Sequence, residues 1–224
     1  MALCGSNFFN STPPLVATDT ETVHAPIIKD VKNLDRLIKS KKYPVNTLDH
    51  LGNSPLHIAA FLGHSRQVQV LIDNKVIRTQ QNIGGRTALH LAIENLSEAD
   101  ALTITQHLIT RINLPKEQPL TPMYIGIKQG FKTTQEADAF CVVNIPDHEG
   151  LTPLHMAIRS EKRRVVIALL QYNAIILCPD KFGIIPLHLA LKSGNLPLAE
   201  ALLTEHLARF KVYMTQNPTV FFVL

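Results

Sequence analysis

Ten histidines and three cysteines are the residues in this 224-residue chain best suited to ligate a metal or to carry acid–base and nucleophilic chemistry. Cys4, Cys141 and Cys178 are odd in number and form no Cys-x-x-Cys pair, so they outline neither a disulfide framework nor a zinc site. Cys141 or Cys178 could join a histidine as nucleophile and base, but no protease signature surrounds either. Cys178, just ahead of a Pro-Asp turn, suits a small apolar space better. The run Asn82 to Thr87, "NIGGRT", has the glycines of a phosphate-cradling loop without the Walker spacing or its lysine.

Four histidines follow a rule. They stand in Ser54-Pro-Leu-His57-Ile-Ala-Ala, Thr87-Ala-Leu-His90-Leu-Ala-Ile, Thr152-Pro-Leu-His155-Met-Ala-Ile and Ile185-Pro-Leu-His188-Leu-Ala-Leu, at separations of 33, 65 and 33 residues. The middle gap is nearly double, and near its centre lies Thr121-Pro-Met-Tyr124-Ile-Gly-Ile; counting Tyr124 in the histidine slot makes the spacings 33, 34, 31 and 33. Histidines recurring once per unit would lie roughly 10 Å apart in successive layers, too far to share one ion at bond lengths of about 2 Å. Neither a metal, a cofactor nor a catalytic constellation is therefore expected, and an enzyme is not.

The elements around each histidine explain its position. Asp49, Asp147 and Asp180 each precede a glycine by three residues, which is turn chemistry. Ser or Thr then occupies a helix N-cap and Pro the first helical position, where its missing N–H costs nothing. Gly63, Gly130 and Gly194 are placed to end this short first helix in the left-handed conformation. A second amphipathic helix follows, with Val68, Leu71 and Ile72 in the first copy, Val166, Leu169 and Leu170 in the fourth, and Ala199, Leu202 and Leu203 in the fifth. One such pair cannot bury its apolar stripe alone, so copies must stack.

With its unit of about 33 residues and its T-P-L-H-x-A core, the chain resembles the ankyrin repeat family. Val45-Asn46-Thr-Leu-Asp49-His-Leu-Gly52-Asn-Ser54-Pro-Leu-His57 looks like a full family turn and helix entry. The resemblance implies an all-α solenoid of stacked helix-turn-helix units with hairpin-like loops, in which the repeated histidines tie successive hairpins together. The expected organisation is an N-terminal extension over 1–22 and a repeat domain over 23–210. That domain holds a partial repeat at 23–44 and repeats beginning near 46, 79, 113, 144 and 177, and a tail follows at 211–224. The third copy, with Tyr124 and Gly126, is read as an eroded layer of one continuous five-copy stack.

Departures from the pattern occur elsewhere too. In the second copy Ile104, Leu108 and Ile109 fall about three residues late, so "NLSEADA" is expected to lengthen the inter-helix loop or add a turn of helix. Ile185 stands where the fifth copy's hydroxyl cap belongs.

Recognition of a partner protein is the function this reading supports, as an intracellular adaptor or scaffold gripping a partner across the concave face. Residues that packing does not require are His50, Leu51, Asn53, Phe61 and Leu62 in the first copy and Ile83, Arg86, Glu94 and Asn95 in the second. Lys128 and Gln129 belong to the third; His148, Glu149, Leu151, Arg159 and Ser160 to the fourth; Lys181, Phe182, Ile184, Lys192 and Ser193 to the fifth. Phe61, Arg159 and Phe182 lead, because aromatic and Arg side chains dominate interface hot spots. The competing reading is the ankyrin portion of a larger protein, or of a host-directed bacterial effector, whose activity lies elsewhere.

The charge balance, 22 Lys+Arg against 18 Asp+Glu for a net +4, is modest, and its basic run from Lys29 to Lys42 lacks the aromatic interleaving of a nucleic-acid site. No apolar run approaches the length of about 20 residues that spans a bilayer. The N-terminus lacks a basic and apolar secretory leader. A cytoplasmic monomer is expected, with the nucleus or a host-cell cytosol as other compartments.

Overall fold

The computed structural model describes residues 38, 45–110 and 142–216. Among these, eight α-helices form four antiparallel pairs. They are α1 (Pro55–Phe61) with α2 (Ser65–Asp73), α3 (Ala88–Asn95) with α4 (Glu98–Thr110), α5 (Pro153–Arg159) with α6 (Arg163–Gln171), and α7 (Pro186–Lys192) with α8 (Leu196–Gln216). No strand occurs among the described residues. The all-α solenoid read from the sequence is the fold observed.

Each first helix starts where local chemistry places it. Ser54, Thr87, Thr152 and Ile185 occupy the N-caps in extended conformation, and Pro55, Pro153 and Pro186 lead their helices. Gly63 and Gly194 end α1 and α7 at φ +76° and +72°, as expected. The same slot in the fourth copy holds Glu161 at φ +55°, a left-handed conformation that L side chains rarely adopt. Gly130 lies outside the described residues.

Every second helix begins eight residues after its histidine, α4 included. "NLSEADA" is therefore not a longer loop. Ser97 Oγ accepts from the Asp100 N–H at 3.2 Å and donates to Asp100 Oδ2 at 2.7 Å, so the segment is a capped helix start. The added turn is at the far end of α4, where Leu108 and Ile109 are buried beside the in-register Ala101 and Ile104. α8 likewise runs on to Gln216, past the boundary expected at 210.

The first helices pack in a row, α1 on α3 on α5 on α7, and the second helices α2, α4 and α6 form a row behind them. One core runs through all four pairs and takes in Ile38, with Leu56, Leu89, Leu154 and Ile158 almost wholly enclosed. Each such side chain contributes about 2 kcal/mol by leaving water.

This order corrects one expectation. α3 packs directly on α5 and α4 on α6, so the second and fourth copies are neighbours and no third layer lies between them. The segment around Tyr124 lies outside the described residues.

Candidate interaction surface

Four loops carry the tips that precede the first helices. In each, one short side chain organises the turn through Oδ1. Asp49 accepts from the N–H groups of Leu51 and Asn53, Asn82 from Gly84 and Arg86, Asp147 from Glu149 and Leu151, and Asp180 from Phe182 and Ile184. Gly85 completes its turn at φ +73°, and a Cβ there would meet the backbone N of His148 at 2.5 Å. Backbone bonds string the tips together: Ile83 N–H to Leu51 O at 3.0 Å, His148 N–H to Gly84 O at 3.2 Å, and Lys181 N–H to Glu149 O at 3.0 Å. These bonds pin the tip residues in a row.

The histidines hold the row from beneath. Ser54 N–H donates to His57 Nδ1 at 3.1 Å, which leaves the proton on Nε2, and Nε2–H donates to Arg86 O at 3.0 Å. His155 does the same between Thr152 and Ile184 O, at 3.1 Å for each bond. His57 and His155 reach carbonyls 29 residues ahead, whereas His90 reaches Leu151 O, 61 residues ahead, across the junction of the second and fourth copies. Burial pushes His57 and His90 down to about 4 and lowers His155 as well, against the raising effect of those carbonyls. A protonated Nδ1 would face the N-cap N–H, so the neutral ring is the one that fits. The structural role expected for these three histidines is thus observed.

The tips and first helices leave a distinct set of side chains free of the core. Phe182 is 73% exposed, Ile83 64% and Leu62 45%, and His50, Asn95, His148, Arg159, Lys181, Lys192 and Ser193 are also exposed. Leu51, Phe61, Arg86, Glu94, Glu149, Ser160 and Ile184 are half-buried. Two of the expected contact residues are not available. Asn53 is buried, donating to Asp49 Oδ2 and accepting from Asn82, and Leu151 is buried in the core. Both fall in loops, whose residues the repeat pattern alone leaves open to solvent, but interlayer packing closes over them. Lys128 and Gln129 lie outside the described residues.

A family model described as ankyrin repeats (3 copies) matches residues 25–116 and again residues 100–214. The chain belongs to the ankyrin repeat family. Ankyrin repeats are protein–protein interaction modules, typically non-enzymatic, whose extended concave surface does the binding.

Within this ankyrin stack, charged side chains from the second, fourth and fifth copies converge. Arg86 Nη1 pairs with Glu94 Oε2 at 2.5 Å, and Arg86 Nε lies 3.8 Å from Asp147. Arg159 lies 3.7 Å from the other oxygen of Glu94. Lys181 binds Glu149 at 2.8 Å and sits 5.1 Å from the centre of the Phe182 ring. That lysine is also the main cause holding the Glu149 carboxyl below its ordinary value. One carboxylate, Glu94, thus serves two guanidinium groups, and Lys192, in the equivalent slot of the next copy, has no ion pair among the described residues. The slot four residues past the histidine reads Phe61, Glu94, Arg159, Lys192 along the row.

Several supporting residues have roles that the repeat pattern does not reveal. Lys162 is buried at the junction of the second and fourth copies, donates to Ile93 O, and has its ammonium lowered by burial. Arg209 of α8 donates to Leu170 O at 2.6 Å, a carbonyl at the end of α6, and to Ala174 O at 2.8 Å in the loop that follows. Asn46 and Asn144 accept from Ile77 and Ile175 N–H, each 31 residues on. Their partners are far away in sequence, so only the fold shows their roles. Cys178 has its thiol pushed up by burial, which disfavours the thiolate a nucleophile needs. No cluster of metal-ligating side chains occurs among the described residues, and no described helix is long and apolar enough to cross a membrane.

Proposed function

We propose that this chain is a non-catalytic adaptor or scaffold that binds a protein partner across the row of tips and first helices. The observation that carries the reading is the composition of that row. Phe182 and Ile83 stand out into solvent beside Arg159, Lys181 and Lys192, on loops held rigid by side-chain and backbone bonds. Large apolar and cationic side chains on a fixed backbone are what a hot spot requires, because little entropy remains to be lost on binding. The core asks nothing of them.

A comparison of proteins captured by the immobilised wild type, by an Ile83→Ala/Arg159→Ala/Phe182→Ala variant and by an Ile167→Ala variant tests the reading. Ile167 is exposed on α6, in the row behind. A partner retained by Ile167→Ala and lost by the triple variant, with circular dichroism unchanged in both, is the expected outcome. Equal capture by all three would refute the assignment. Phe61 is left out of the triple because it is half-buried, so its removal would confound binding with packing.

A further inference from the structure

The outer side of the fifth copy repeats an interface that each earlier copy has filled. Three places after the signature histidine stand Ala60, Ile93 and Ile158, exposed by 0%, 0% and 1%; the fifth copy has Leu191 there, exposed by 50%. Fifteen places after it stand Ile72, Thr105 and Leu170, at 5%, 0% and 9%, against 44% for Leu203. Leu207 and Phe210, further along α8, are also exposed. His188 takes the Ile185 N–H on Nδ1 at 3.4 Å, yet its Nε2 has no carbonyl among the described residues to match Arg86 O, Leu151 O and Ile184 O. This face therefore has the slots of an interlayer interface on both α7 and α8, and among the described residues no further layer covers them.

We propose that a second copy of this chain docks there, face to face about a two-fold axis, with α7 and α8 of one protomer packed on the same helices of its partner. Continuity with the stack argues for it, since the first three layers are joined by two helices meeting two helices. Head-to-tail docking on the first copy meets an end that already has Ile38 seated in the core. An apolar face is complementary to itself, and a two-fold pairing closes without leaving another such face exposed.

Light scattering coupled to size exclusion, run across the micromolar range, tests the inference. The wild type is expected to approach twice 24.9 kDa as concentration rises. Leu191→Glu/Leu203→Glu should weaken self-association by about 100-fold or more, because it buries charge in the apolar centre of the interface. Both positions are half-exposed in the monomer, so circular dichroism should be unchanged, and Leu191→Lys/Leu207→Lys gives the same test with the opposite charge. A wild type that stays at 24.9 kDa throughout overturns the proposal, as does a dimer that survives both variants. A chain ending at residue 216 should still dimerise; if it alone dimerises, the last residues cover the face and the proposal fails.

Discussion

The junction between the second and fourth copies and the outer side of the fifth are built from nearly the same signature, Leu-His-Leu-Ala, and end in opposite states. At the junction His90 is fully buried, Gly85 is pressed against His148, and Lys162 is enclosed on a carbonyl of α3. At the outer side His188 is exposed, Gly183 has nothing within 4 Å of where a Cβ would lie, and Leu191 faces out. A repeat motif thus specifies half of an interface. The next layer supplies the other half, and its identity decides what each residue contributes.

The glycine pair should show the largest contrast. Gly85→Ala carries both a positive φ and a collision at 2.5 Å with backbone that cannot yield cheaply, and should cost about 3 kcal/mol or more. Gly183→Ala has only the φ of +77° to bear and should cost about 1 kcal/mol. Urea denaturation of both variants measures the difference. Equal losses would mean that the two loops are equally open and that the second and fourth copies are not in contact.

The histidine pair comes next. His90→Ala leaves Leu151 O and the Thr87 N–H buried without their partner and should cost about 3 kcal/mol, while His188→Ala should cost under about 0.5 kcal/mol in a monomeric sample. His57 and His90 also make stability pH-dependent. Both are held at about 4 in the fold and rise to the ordinary value near 6.5 when the chain unfolds, so below about 6.5 the unfolded chain takes up more protons. Stability is complete above that value and falls as pH drops toward 4. The loss should be about 1 kcal/mol for each by pH 5.5. Denaturation midpoints measured from pH 7.5 to 5 check the slope, and a midpoint independent of pH would contradict the buried neutral rings.

The part of this that the sequence made legible is local. Caps, prolines, turn aspartates and terminating glycines act within four residues, and the four helix pairs start where those signals place them. The second-copy shift is legible in part: α4 does gain a turn, but apolar type alone aligns Ile104, Leu108 and Ile109, whereas the true register puts Thr105, buried with its hydroxyl unpaired among the described residues, in a slot where the first and fourth copies have Ile72 and Leu170. The third copy misled for a different reason. Spacing along the chain tests register, not which layers touch, and nothing within Thr87-Ala-Leu-His90 shows that its imidazole will bond a carbonyl 61 residues away. Asn53 and Leu151 lie in loops, and only the neighbouring tip that covers them takes them out of the surface.

A smaller change sharpens the comparison from the side of the uncovered copy. Ile185 gives α7 no side-chain acceptor at its N-cap, where Ser54, Thr87 and Thr152 each stand close to a histidine Nδ1. Ile185→Thr should stabilise the fold by about 0.5–1 kcal/mol in thermal melts. The gain depends on α7 having a neighbouring first helix, α5, on one side alone, so that its first turn frays more readily than that of α3, which has a layer on each side. In a dimer closed over α7 and α8 that fraying is already suppressed. The increment should then shrink as protein concentration rises, whereas a constant increment at every concentration would show that nothing docks on that face.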